Sequence, residues 1–493
     1  MVVSLIPFPE ALRPALPTIV GNVDYRQMRD QLLRIDQLLR LTGLEERFLL
    51  DALKSWAPRQ RRLSVRSQLN FQRHSCRALR CNLLRTLLQE DFRGFAVRLA
   101  DSPLFQFFCA LAELDRVVVP SKSTLQRYAQ WIEQPTLDTL LRELLTAAHT
   151  QPRSLRLQEA IDLDACFFDT TCVEANIHYP VDWVLLRDAT RTLMKAIALI
   201  RDQGLRHRME PPAVFIKRMN RLCIAMTHAP KKADGQRHRK KVLRKMDRLV
   251  GTVRAHARRY RQLLDAQWER TEWTRPQTEQ VLRRLDGVLH QLPTARAQAR
   301  QRILREQPVA NEDKLLSFYE DDVRVIVRHK AGAEVEFGNT LFIAESRQGL
   351  IIDWELFRAT APQDARLVTA RIARIEQNLS IKLKELGADR GFDSADNQAR
   401  LRKKKIFNGI CPRNPHQLQQ RLHSWKFVRL QRRRSQTEAR LAIFLHNFLG
   451  EPLRSKGFAH RQLAVGWGVL IHNLWVLARL PQRPARNKLA AAA

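Results

Sequence analysis

Strand-like sequence lies on both sides of a long helical stretch, so any sheet in this chain must be closed between segments far apart in sequence. On the first side, residues 159–171 read EAIDLDACFFDTT. There Ile161, Leu163, Ala165, Phe167 and Asp169 alternate with other residues, as one face of a strand does. On the second side, residues 335–345 and 350–357 form two β-rich runs, and Ser346-Arg347-Gln348-Gly349 between them has the composition of a hairpin turn. Strands and helices then alternate: a helix over 364–377, a short strand ending near Ala388, a helix from about Ser394 and a strand over 406–410. Helices over 434–449 and 459–480 close the chain. Antiparallel strands followed by strands alternating with helices predict a mixed α/β core, divided between 151–187 and 308–480.

The intervening segment, 188–307, is expected to be a basic helical insertion. Val242, Met246, Leu249, Val253, Ala257, Tyr260 and Leu264 recur at helical spacing and make one apolar face. Residues 201–306 hold 27 Lys and Arg against 10 Asp and Glu, about half of the surplus in a chain of formal charge +35. So large a surplus marks a protein that faces a polyanion, with nucleic acid the first candidate. Cations set against phosphates release condensed counterions, which drives binding. A solvated helical hairpin is the bland reading of the insertion; a clamp along a DNA backbone is the reading its charge favours.

Residues 1–25 form a proline-punctuated, extended lead (Pro7, Pro9, Pro14, Pro17), and 26–150 read as an all-helical N-terminal domain. Ser121-Lys122-Ser123-Thr124 ahead of Leu125, Tyr128 and Trp131 is a helix start. Short helices joined by such turns suit either a helix-turn-helix DNA-binding module or a plain bundle. Residues 481–493 are expected to be a disordered tail. The opening residues lack the basic-then-apolar order of a secretory leader. The most apolar stretch, 463–480, is broken by His472, Asn473 and Arg479, which favours a buried helix over a membrane span. Seven Cys, an odd number in a long chain, read as reduced thiols, and His74, Cys76 and Cys81 lack a second ligand pair at zinc spacing. The expected compartment is the cytoplasm.

Three carboxylates stand where chemistry is usually placed. Asp169 closes the first strand candidate, Asp389 follows a later one in LGADRGFDS, and Glu438 lies one turn into a predicted helix in RRRSQTEARLAIF. Two acids at adjacent strand ends and a third on a packing helix can hold hard divalent ions through oxygen. On spacing alone the pattern is weak, because a chain with 50 acids offers many such triples.

The segments FDTTCVEANIHYPVDW, HKAGAEVEFGN and ADRGFDS, continued through RRRSQTEARLAIFLHNFLGEPLRSKGFAHRQLAVGWGVLIHNLWVLARL, resemble the DDE transposases of bacterial insertion sequences. That resemblance implies an RNase H-like catalytic core with Asp169, Asp389 and Glu438 as catalytic residues and metal ligands. It implies two Mg²⁺ ions, with Mn²⁺ as a substitute, and double-stranded DNA (transposon ends and target) as substrate. Pairing of two ends implies a homodimer. In the family's Y-x2-R-x3-E-x6-K signature, Arg434 and Glu438 match, while Gln431 and Leu445 stand at the Tyr and Lys positions. Arg432, Arg433 and His446 are the neighbouring candidates for those contacts. The expected DNA contacts are Arg434, Arg433, Arg390, Lys330 and Lys122. Asp162, Asp164, Asp182, Asp393, Asp396 and Glu451 remain alternative acids, and Gly338 suits a tight strand start. Trp467, Trp475 and Phe392 are expected in the core, and Arg413 on a phosphate. Two rival readings stay open: a metal-dependent nuclease that cuts without joining, and an inactive DNA-binding protein derived from a transposase.

Overall fold

The computed structural model describes residues 13–56, 64–229, 234–330 and 333–483, without the side chains of 328–330 and 333. Seven helices open the described chain: α1 (Val23–Leu41), α2 (Leu44–Trp56), α3 (Val65–Leu88), α4 (Phe92–Asp101), α5 (Pro103–Phe108), α6 (Lys122–Tyr128) and α7 (Gln134–Thr150). Side-chain caps fix several starts: Ser64, Asp91, Ser102 and Ser121 each accept a backbone N–H of the first turn. The lead lies outside the described residues up to position 12. Arg13 is already anchored on Asp36 of α1.

A mixed six-stranded sheet follows, built from β1 (Ala165–Glu174), β2 (Arg324–Lys330), β3 (Ala333–Ser346), β4 (Ile351–Leu356), β5 (Glu385–Ala388) and β6 (Phe407–Ile410). The order is β2-β3-β1-β5-β6, with β4 also paired to β3. β1 runs antiparallel to β3, from Cys166 opposite Ser346 to Glu174 opposite Gly338, and parallel to β5, from Ala165 opposite Glu385 to Phe168 opposite Ala388. β5 and β6 are parallel, so the sheet changes from antiparallel to parallel at β1. The β3–β4 hairpin forms where the sequence predicts it. β2, which pairs with the first part of β3, was not expected as a separate strand. Gly338 is not a strand start but the point where β3 lies between Arg324 of β2 and Glu174 of β1. A Cβ there would sit 2.1 Å from the carbonyl oxygen of Val173, so only glycine admits this approach.

Four helices fill the interval between β1 and β2: α8 (Asp182–Asp202), α9 (Pro212–His228), α10 (Gly235–Gln267) and α11 (Arg275–Ala299). They close a hydrophobic cluster of their own, from Leu186, Leu193 and Ile197 through Met219, Met246, Val253 and Tyr260 to Leu285 and Leu292. The insertion is thus a bundle rather than a hairpin, and it begins at Asp182. That acid is buried and bonded to Gln298 Nε2 at 2.8 Å and paired with Arg302, so its role is structural.

After the hairpin come α12 (Asp364–Leu379), α13 (Ala395–Lys403), α14 (Pro415–Leu422), α15 (Trp425–Phe444) and α16 (Phe458–Arg479). α16 packs on α1, α3 and α7 as well as on β4. One hydrophobic cluster therefore runs from Leu38, Leu79 and Leu144 through Trp467 and Leu470 to Phe168, Phe342 and Leu386. The N-terminal helices share this core with the sheet. The first residues of the predicted tail are held: Gln482 bridges Leu157, and Arg483 N–H donates to the Arg156 carbonyl oxygen. The remainder of the predicted tail, from residue 484, lies outside the described residues. Among the described residues no helix is long and apolar enough to cross a membrane.

Candidate active site

The parallel register of β1 and β5 ends with Phe168 opposite Ala388, and the residue after each of these partners is an aspartate: Asp169, still within β1, and Asp389, just past the end of β5. Asp169 is not at the end of its strand, as its sequence context suggests. β1 continues to Glu174 on β3 alone, and Asp169 marks where β5 leaves it. Asp389 turns out of β5 as the N-cap of a 3₁₀ turn and accepts the Gly391 N–H at 2.8 Å. Asp169 accepts the N–H of Thr170 at 2.8 Å. Both are half-buried.

Glu438 arrives on α15, which packs across β1, β5 and β6. The helix begins at Trp425, well before the expected start, so Glu438 stands in its second half rather than one turn in. Arg434 Nη1 pairs with Glu438 Oε1 at 2.8 Å, and Arg434 Nε donates to Gln431 Oε1 at 3.2 Å. Gln431 Nε2 donates to the carbonyl oxygens of Ala388 and Gly409, at 3.2 Å and 2.5 Å. The glutamine at the family's tyrosine position thus ties α15 to the ends of the two parallel strands.

Electrostatics join the three acids. Burial pushes the Asp169 carboxyl from the ordinary carboxylate range up to about 7, and the Thr170 N–H pulls it back. Asp389 and then Glu438 raise it further by like-charge repulsion, while Arg434 opposes them. A fourth carboxylate lies beside them. Asp364, at the start of α12, accepts the Thr170 hydroxyl at 3.1 Å. A methyl group on Gly391 would stand 2.9 Å from both Asp364 Oδ2 and Asp389 Oδ1. Sequence reasoning missed Asp364, because an acid in a helix's first turn ordinarily needs no explanation beyond the helix dipole. Hard oxygen donors of this kind suit a divalent cation such as Mg²⁺. Even so, no group of three or more His, Cys, Asp or Glu among the described residues converges closely enough to hold a metal ion.

The other predicted residues fall in different places. Arg433, one of the expected DNA contacts, faces the interior. Its guanidinium stacks on Phe167 at 4.7 Å, donates to the carbonyl oxygens of Ser346 and Arg347, and pairs with the buried Glu345. Arg390 and Lys122 are exposed, the latter at the first position of α6. Lys330 ends β2, and its side chain, like Gly332, lies outside the described residues. Arg413 braces the Asp389 loop, donating to the carbonyl oxygens of Arg390 and Gly391 at 2.9 Å and 3.0 Å. His446 pairs with Glu451, Asp162 with Arg347, Asp164 with Lys384 and Asp396 with Arg400. Asp393 is buried and accepts from Gln398 and Arg413. Phe392 and Trp467 are buried, Trp475 packs partly buried against the core, and His74 bonds Tyr128 at 2.7 Å. Comparison with protein-family models, curated proteins and solved structures yields no match.

Proposed function

We propose that the chain is a DNA transposase with an RNase H-like catalytic core, acting on the terminal inverted repeats of its own insertion sequence. The observation that carries this reading is the meeting of Asp169 and Asp389 at adjacent positions of two parallel strands, with Glu438 brought into charge range of Asp169 by α15. A sheet that turns from antiparallel to parallel at the strand bearing the first acid supports the RNase H-like assignment.

Asp169, Asp389 and Glu438 would hold two Mg²⁺ ions, whose chemistry is to activate a water or 3′-hydroxyl and to stabilise the leaving oxygen. The chain's own part is positioning. The Thr170 and Gly391 amides orient the two aspartates, and Arg413 keeps the loop after Asp389 in place. Asp169 gives up its proton when positive charge arrives beside it. Exposed cations outside the site hold DNA through its phosphates. Arg244, Lys245 and Arg248 on α10 are one group of these, and Lys122 stands on α6. Pairing two DNA ends calls for two copies of the chain.

The test is a plasmid mobility assay with the native flanking DNA, comparing wild type with Asp389→Asn. Movement by wild type and none by the variant, with DNA binding retained, is the expected result. Equal movement by both rejects the assigned site. One observation favours a second reading, a DNA-binding protein without activity: the third acid is already neutralised by its ion pair with Arg434. In that case wild type moves nothing, and no strand is cut with Mg²⁺ or Mn²⁺.

A further inference from the structure

Gln431, Arg434 and Glu438 lie three and four residues apart, on one face of α15. The Gln431 amide nitrogen is engaged by the carbonyl oxygens of Ala388 and Gly409, which leaves its oxygen pointing along the helix as an acceptor. Arg434 Nε takes that acceptor at 3.2 Å, so one edge of the guanidinium is fixed relative to the strand ends. The other edge reaches Glu438 at 2.8 Å. Arg434 is the sheltered partner, with its side chain 19% exposed against 63% for Glu438. Its charge also reaches Asp169, where it opposes the repulsion of the other acids. A guanidinium cannot discharge itself by losing a proton, so it stays a cation in this position.

We infer that Arg434, held in place by Gln431, is the resident counter-ion of the acidic site and keeps Glu438 away from Asp169 and Asp389 until a divalent cation replaces it. The inference rests on the reading of the three acids as a metal site. An ion pair with one exposed member is weak, and Arg preceding Glu is the less favourable order along a helix. A divalent ion drawn by three carboxylates therefore displaces it readily. In the DNA-bound protein a phosphate can take the freed Arg434, so metal and DNA favour each other's binding.

The test is Mn²⁺ binding to the full chain without DNA, followed by the electron paramagnetic resonance of free Mn²⁺. The proteins are wild type, Arg434→Met, Glu438→Gln and the double variant. Arg434→Met is expected to tighten binding roughly three- to tenfold, the scale of a half-exposed charged pair. In the Glu438→Gln background the same substitution is expected to change affinity less than about twofold. Gln431→Met, which keeps every charge, is expected to give a smaller gain in the same direction. Equal tightening with and without Glu438 means that only bulk charge was removed, and it overturns the inference, as does unchanged or weaker binding in Arg434→Met. If all four proteins leave millimolar Mn²⁺ free, the metal-site reading fails and this inference fails with it.

Discussion

Replacing Asp169 by Asn removes a carboxylate that the metal-free fold disfavours in its ionised form. Asn keeps an oxygen for the Thr170 N–H and nearly the same volume, so the main change is electrostatic. The folded-state pKa of Asp169 is raised to about 7, whereas an unfolded carboxyl titrates near 3.8. Stability associated with its proton is therefore complete below about pH 4 and is lost as pH rises towards 7. A rise of this size corresponds to about 4 kcal/mol as an upper bound. Asp169 is only half-buried, and solvent and local relaxation reduce that figure, so about 1–3 kcal/mol is expected. In urea unfolding with EDTA present, Asp169→Asn should be more stable than wild type by this amount at pH 8, with little difference at about pH 3. Mg²⁺ should narrow the gap by stabilising wild type alone. A variant that is less stable at pH 8, or a gap independent of pH, refutes the account of Asp169 as a carboxylate strained by burial and by Asp389 and Glu438.

Arg433→Ala leaves the buried Glu345 with Arg440 alone and removes the cation from Phe167, so a loss of about 2–4 kcal/mol in unfolding free energy is expected. The folded variant should bind DNA as wild type does, measured by fluorescence anisotropy. Gly338→Ala forces a Cβ onto the Val173 carbonyl oxygen, and a loss of more than about 3 kcal/mol or failure to fold is expected by calorimetry. On α10, Lys241, Arg244, Lys245 and Arg248 are exposed and have no ion-pair partner among the described residues, unlike Arg261 and Arg296, which pair with Asp286 and Asp247. Changing the four to Ala should lower the slope of log affinity against log salt by up to about 3–4, with little change in melting temperature. An unchanged slope would remove the insertion from the DNA-binding surface.

Local pattern made most elements legible. Capping serines, apolar stripes and the turn at 346–349 act within a few residues, so α6, α13, α16 and the β3–β4 hairpin lie close to their expected positions. What the pattern missed depends on partners distant in sequence. β2 has no strong alternation of its own and is a strand because β3 offers it an edge. α15 extends back to Trp425 because Leu430 and Phe427 find cover in the interior and Ser424 caps the start. Arg433 and Arg434 are neighbours in sequence and equal in charge. Yet a helix sends them in different directions, one into the Glu345 pair and the other to Glu438.

The sequence by itself determined the mixed α/β class, the basic helical insertion and the prominence of Asp169, Asp389 and Glu438, because composition, periodicity and short motifs are local properties. Only the tertiary structure decided that β1 and β5 lie side by side, that Asp364 lies beside the acids, and that Arg434, bonded to Gln431, pairs with the third one. The physical reason is that electrostatic and hydrogen-bond energies depend on distance and burial, and neither follows from separation along the chain.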